Sequence, residues 1–269
     1  MLEYLQECID NDCFKTLEDL KCVIFDVYNL RVCRSTIFNA IDGFKYSLKR
    51  VQRIAEAADT PANEVHRLEF ANWFIQMRLE GRTMIKVDET GFQVSMRMSY
   101  GRSPRNERAQ TTQRRIRERN INVMAAMHHA GMTHYEILDG NGNAERFTHF
   151  IDNMGAARDR LQLPADTIVI LDNVPFHRSA VVVEMLQLRG FPYKYLPPYS
   201  PFFMGIECMF SQWKHYVKVG LQGHRAQNEV DLMNRINAFQ LSPAHANNYF
   251  QHVSNNCLGY LRGQRVFDN

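Results

Sequence analysis

No two cysteines in this chain are spaced as CxxC, and although Cys8 and Cys13 could be ligands, no neighbouring cysteine and histidine set completes a zinc-binding pattern, which argues against a zinc-stapled fold. The six cysteines, Cys8, Cys13, Cys22, Cys33, Cys208 and Cys257, are therefore expected as free thiols. No stretch approaches the roughly 20 apolar residues that cross a bilayer, so no membrane is expected among its partners. The opening MLEYLQECIDNDCFK carries acids where a targeting leader needs basic residues and an apolar run. A soluble, intracellular protein is expected. A large excess of charge is missing too: the formal net charge is +3 and the pI about 8.5. Any hold on nucleic acid must then come from where the basic residues lie, because their total is small.

What remains is an ordinary globular composition, 45% hydrophobic and 23% charged over 269 residues, enough for one substantial core and a small accessory region. Residues 1–55 read as helical and interrupted. Thr16 followed by Asp19 is a helix-start signal, and Leu17, Leu20, Val23, Ile24 and Val27 recur at helical spacing. Asn29 and Leu30 break the pattern, and a second short helix begins with Arg34, Ser35 and Thr36. Helix, tight turn, helix is the layout in which the start of the second helix meets base edges and phosphates. Lys45, Lys49 and Arg50 follow where they would touch backbone. Two short helices with a few basic residues also occur in proteins that bind nothing. Residues 56–81 read as a linker helix started by Thr60–Asn63, with Val65, Leu68, Phe70, Trp73, Phe74 and Met77 as its apolar face.

From residue 82 the pattern changes to strands and helices. TMIKVDETGFQVSM reads as a strand with Gly91 permitting a turn, and Val123–Met127 and His134–Leu138 as two more in a meander. A helix over 145–162 precedes TIVILDN, a β-branched run typical of a strand buried on both faces. SAVVVEMLQLRG is a helix ending at Gly190, PYKYLPP a last strand and ECMFSQWKHYVK a last core helix, with Trp213 packed inward. The order predicts an α/β fold, a mixed five-stranded sheet flanked by helices and preceded by a small all-α region. Residues 82–222 form this domain, and 223–269 are expected as C-terminal helices packing on it.

Three acids punctuate the domain. Asp88 lies on the first strand, Asp172 at the carboxyl end of the fourth and Glu207 near the start of the helix after the fifth. Ligands collect beyond the carboxyl ends of strands in open sheets. Three carboxylates are hard ligands, suited to Mg2+ or Mn2+. Two such ions can activate a water or a 3′-hydroxyl and stabilise the leaving oxygen at phosphorus. Acids at strand ends and helix starts also serve simply as caps.

The segments DETGF, ILDNVPFHRS and LPPYSPFFMGIECMFSQWKHYVK resemble, in order and spacing, the catalytic segments of mariner-superfamily DDE transposases. Thirty-four residues separate Asp172 from Glu207, within the range that superfamily uses. The resemblance covers about 84–220 and implies a ribonuclease H-like core, with Asp88, Asp172 and Glu207 as the catalytic, metal-binding triad for two Mg2+ or Mn2+ ions. It also implies cleavage at transposon ends, strand transfer to target DNA, double-stranded DNA as partner, a homodimer, and nuclear localisation in a eukaryotic host. Asn173, His177 and the Pro197–Pro201 turn match the same pattern. Gly205 stands where the family carries proline, which predicts a looser start for the helix bearing Glu207.

Further DNA contacts are expected from the basic stretch between the first strands, above all Arg102, Arg105, Arg114 and Arg115. His177 is a candidate to contact DNA, to orient a carboxylate, or to pack. An alternative reading is a catalytically inactive DNA-binding protein derived from a transposase.

Overall fold

The computed structural model describes residues 1–48, 55–58, 60–93, 96, 104, 106–108, 110, 120–221 and 229–264. The chain divides into two compact units, Met1–Ile54 and Ala55–Asn269.

The first unit holds α1 (Leu2–Asn11), α2 (Leu17–Tyr28) and α3 (Arg34–Gly43), so a third helix precedes the two expected. Thr16 and Asp19 start α2 by exchanging hydrogen bonds: the Asp19 amide donates to Thr16 Oγ1 (3.2 Å) and the Thr16 amide to Asp19 Oδ2 (2.8 Å). Asn29 ends the helix in the left-handed region at φ 51°. Leu5, Leu20, Ile24 and Ile37 close the small core. Arg34, Ser35 and Thr36 form the exposed first turn of α3, and Lys45 is exposed beyond it. Lys49 and Arg50 lie outside the described residues.

In the second unit, Thr60 caps α4 (Pro61–Leu79), with Pro61 at the first helical position where its missing N–H costs nothing. The buried face of α4 is Asn63, Arg67, Phe70, Ala71 and Phe74. Val65 and Leu68, expected on it, are exposed at 52% and 39%. They fall on the far side of the 3.6-residue repeat, and the arginine takes the inward place.

The sheet is five-stranded and mixed, in the order β3-β2-β1-β4-β5. Strands β1 (Met84–Gln93), β2 (Asn120–His128) and β3 (Gly131–Leu138) are antiparallel neighbours, while β4 (Ile168–Leu171) and β5 (Tyr193–Tyr195) add in parallel on the other side of β1. Gly91 makes no turn. It continues β1 opposite Asn122, where even a Cβ would stand 3.3 Å from the Asn122 side chain. A glycine inside a strand marks close approach as readily as it marks a turn.

Alternation along the strands separates two cores. Ile85, Val87, Met124, Val169 and Leu171 face α5 (Ala144–Arg160) and α6 (Ala180–Leu188). Met84, Phe92, Ile121, Val123 and Ile170 face the side covered by α4, α7 (Ile206–Gly220), α8 (Glu229–Asn237) and α9 (Pro243–Leu261). Trp213 is fully buried there, stacked on Phe239 and donating its indole N–H to the Ile236 carbonyl. All six cysteines are free, and no described helix is long and apolar enough to cross a membrane.

Candidate active site

The parallel pairing of β1 with β4 puts Val87 opposite Leu171. One residue further along come Asp88, midway along β1 where its pairing with β4 stops, and Asp172, just past the carboxyl end of β4, so two acids far apart in sequence emerge side by side. Glu207 is the second residue of α7. The three carboxylates line one cleft of about 310 Å3, together with Asn173, Tyr199, Ser200 and Met204. Among the described residues, no three His, Cys, Asp or Glu side chains are gathered tightly enough to hold an ion as they stand.

Burial pushes the Asp88 carboxyl up to about 8, opposed by the Glu89 amide that donates to Asp88 Oδ1 at 2.8 Å; the negative charges of Glu89, Glu207 and Asp172 push it further up. Asn173 Oδ1 is also buried without a hydrogen-bond partner in the same cleft. Crowded carboxylates, one of them driven to hold its proton, beside an unanswered carbonyl oxygen make a donor set that a hard cation would satisfy.

His177 does not reach the surface. It is fully buried, with Nδ1 2.5 Å from Asp172 Oδ1 and Nε2 3.1 Å from Glu89 Oε1. This corrects its assignment as a DNA contact, since both ring nitrogens are taken and no part of the ring is exposed. The Phe147 ring lies 4.0 Å away, and Tyr195 donates its hydroxyl to the His177 carbonyl at 2.8 Å. Burial alone would lower the imidazole pKa, but the hydrogen bonds and charges of Asp172 and Glu89 outweigh it and carry the value up to about 9. A doubly protonated ring bridging two carboxylates fixes the direction of Asp172. Glu89 escaped the sequence reading; its neighbour Asp88 turns to one face of β1 while Glu89 turns to the other, and only the fold brings His177 beneath it.

Asp88 and His177 each bind a proton more tightly in the folded chain than their ordinary values of 3.8 and 6.5 allow. The folded state therefore holds the extra protons, and stability falls as pH rises, through the window from 3.8 to about 8 for Asp88 and from 6.5 to about 9 for His177. Lys86, whose burial lowers its amine to about 7, acts the other way above that pH, but the two groups outweigh the one: in EDTA, urea unfolding is expected to give a lower stability at pH 9 than at pH 6. A flat or rising profile contradicts the buried, protonated arrangement.

Residues 83–230, more than half of the chain, match the family described as DDE superfamily endonuclease. The chain belongs to the DDE superfamily endonucleases. Its fold is that of mariner transposases: the Mos1 mariner paired-end complex with Mn superposes with a TM-score of 0.77 at 15% identity, over 98% of this chain and 78% of that one. The Mos1 paired-end complex with Mg gives 0.69 at 17% identity over the same shares. The isolated Mos1 catalytic domain gives 0.59 at 13% identity, over 80% of this chain and 98% of that one. No curated protein is similar enough in sequence to count as a match.

One departure from the superfamily pattern changes meaning in the structure. Gly205, the residue before α7, adopts φ 63° and ψ −27°, a conformation closed to proline. A Cβ at this position would stand 2.9 Å from Lys86 Nζ and 2.9 Å from Val253 Cγ2. The expected looseness is thus corrected: the glycine is required by a close, left-handed turn. The preceding turn is held equally firmly. Arg67, buried in α4, donates from Nε to Ser200 Oγ at 3.0 Å and from Nη2 to the Ala58 carbonyl at 2.7 Å. Its guanidinium also lies over the Phe202 ring. Arg102, Arg105, Arg114 and Arg115 of the basic stretch lie outside the described residues.

Proposed function

We propose that this DDE superfamily endonuclease is a transposase that cuts DNA at transposon ends and joins the exposed 3′ end to target DNA, using Asp88, Asp172 and Glu207 as ligands for two Mg2+ or Mn2+ ions. The observation that carries the reading is the cleft itself, where two acids on adjacent parallel strands meet a third from a helix start. The Asn173 side-chain oxygen would serve as a further ligand or hold a coordinated water. When bound, such ions would activate the attacking oxygen and neutralise charge at the departing one. His177 and Glu89 keep Asp172 aimed into the cleft, and Arg67 braces from behind, through Ser200, the proline-rich turn that lines it.

DNA would be held by the exposed first turn of α3, through Arg34, Ser35 and Thr36, with Lys45 beside it. Lys49, Arg50, Arg102, Arg105, Arg114 and Arg115 supply further phosphate contacts in this reading. Both the Mn and the Mg relatives are described as paired-end complexes. A homodimer that pairs two ends, working in the nucleus of a eukaryotic host, is the corresponding proposal here.

Nicking of supercoiled plasmid tests the reading. The protein is expected to nick in Mg2+ or Mn2+ and not in EDTA. DNA binding without nicking in either ion would overturn the enzymatic reading in favour of an inactive DNA-binding derivative.

A further inference from the structure

Lys86 lies two residues before Asp88 on the same face of β1, and its side chain is completely buried. Its ammonium nitrogen stands 4.4 Å from the centroid of Phe250, 5.2 Å from that of Phe74 and 3.5 Å from the Phe203 carbonyl oxygen. The ionisable groups that act on it are Cys257, Arg78 and Cys208, none of them a carboxylate. Burying an amine with one long hydrogen bond is costly, and a methionine would fill the same space without that cost. Phe74 and Phe250 pack the amine from α4 and α9, and its hydrogen bond is made at the approach to α7. Phe203 and Gly205 flank the turn that begins α7, and the missing Cβ of Gly205 is what leaves room for Nζ.

We propose that Lys86 is a positioning residue: by bonding to the Phe203 carbonyl and packing against Gly205, it ties strand β1 to the start of α7 and so sets Glu207 against Asp88. The inference rests on the reading of those two acids as metal ligands. One side chain then spans the gap between the strand that carries the first acid and the helix that carries the third. That connection defines a distance which neither element fixes alone.

Lys86→Met keeps the length and most of the volume while removing the hydrogen bond, and Gly205→Ala pushes on the same contact from the other side. In metal-free protein, hydrogen exchange of the amides of residues 206–209 is expected to quicken about 10-fold or more in Lys86→Met, with the amides of β1 and β2 unchanged. Calorimetric affinity for Mn2+ is expected to weaken about 10- to 100-fold, as when other residues that orient a ligand are lost. Gly205→Ala should show the same two changes. Wild-type exchange and wild-type Mn2+ affinity in Lys86→Met would make Lys86 mere core filling and overturn the inference. If Lys86→Met exchanges faster throughout the sheet, Gly205→Ala decides, and unchanged exchange at 206–209 in that variant overturns it as well. Should the wild-type protein bind no Mn2+, the reading of the carboxylates falls, and exchange at the start of α7 alone judges Lys86.

Discussion

Asp172→Ala is expected to slow Mg2+-dependent nicking by about 10³-fold, the scale on which single charge-stabilising groups act in transition states. Its DNA affinity should stay at the wild-type level, since Asp172 lies in the cleft while the proposed DNA-binding residues of the first unit belong to a separate folded body. Two roles are lost together. Asp172 is one of three carboxylates facing the cleft, and it is also the nearer of the two that hold His177 protonated. Without it the imidazole keeps only Glu89, so its pKa should move back toward the ordinary value of 6.5, visible by NMR titration. Nicking at the wild-type rate by the variant would remove Asp172 from the reaction and point to a contaminating nuclease.

Gly205→Pro, which restores the residue the superfamily carries, is expected to destabilise the second unit by about 3 to 5 kcal/mol. Proline demands a φ near −65°, whereas this position sits at 63°. The ring would also be driven into Lys86 and Val253, and overpacking a filled core costs a further ~1 to 3 kcal/mol. Calorimetry should show a melting temperature lower by about 10 °C for a unit of this size. An unchanged melting temperature would mean that the turn before α7 is not left-handed in solution.

The elements that read correctly from sequence were those whose signal is local. Thr16 with Asp19 announced α2, the β-branched run before Asp172 announced a buried strand, and Asp172 follows the end of that strand as expected. Asp88 and Asp172 were legible because the parallel pairing of β1 with β4 sets Asp88 beside the point where β4 ends. Features decided by distant packing were not legible. Gly91 had the composition of a turn but faces Asn122 across a strand pair; Val65 and Leu68 looked like core but lie on the outer side of α4. Glu89 was overlooked because its partner approaches from the opposite side of the sheet. Gly205 misled most: glycine in place of proline suggests slack, and only the positions of Lys86 and Val253 reveal a tight fit.

The pairing of β1 with β4 also has a consequence for when the protein becomes dangerous to DNA. Asp88 and Asp172 meet only through a parallel pairing between strands separated by two others and a helix, and Glu207 joins them only after α7 has docked. Contacts of such long sequence separation form slowly. On the proposed function, a chain still emerging from the ribosome carries all the residues for an isolated helical unit well before it can assemble a cutting centre. Long-range topology thereby acts as a safety interval, in which the nuclease is committed to its fold before it can cut.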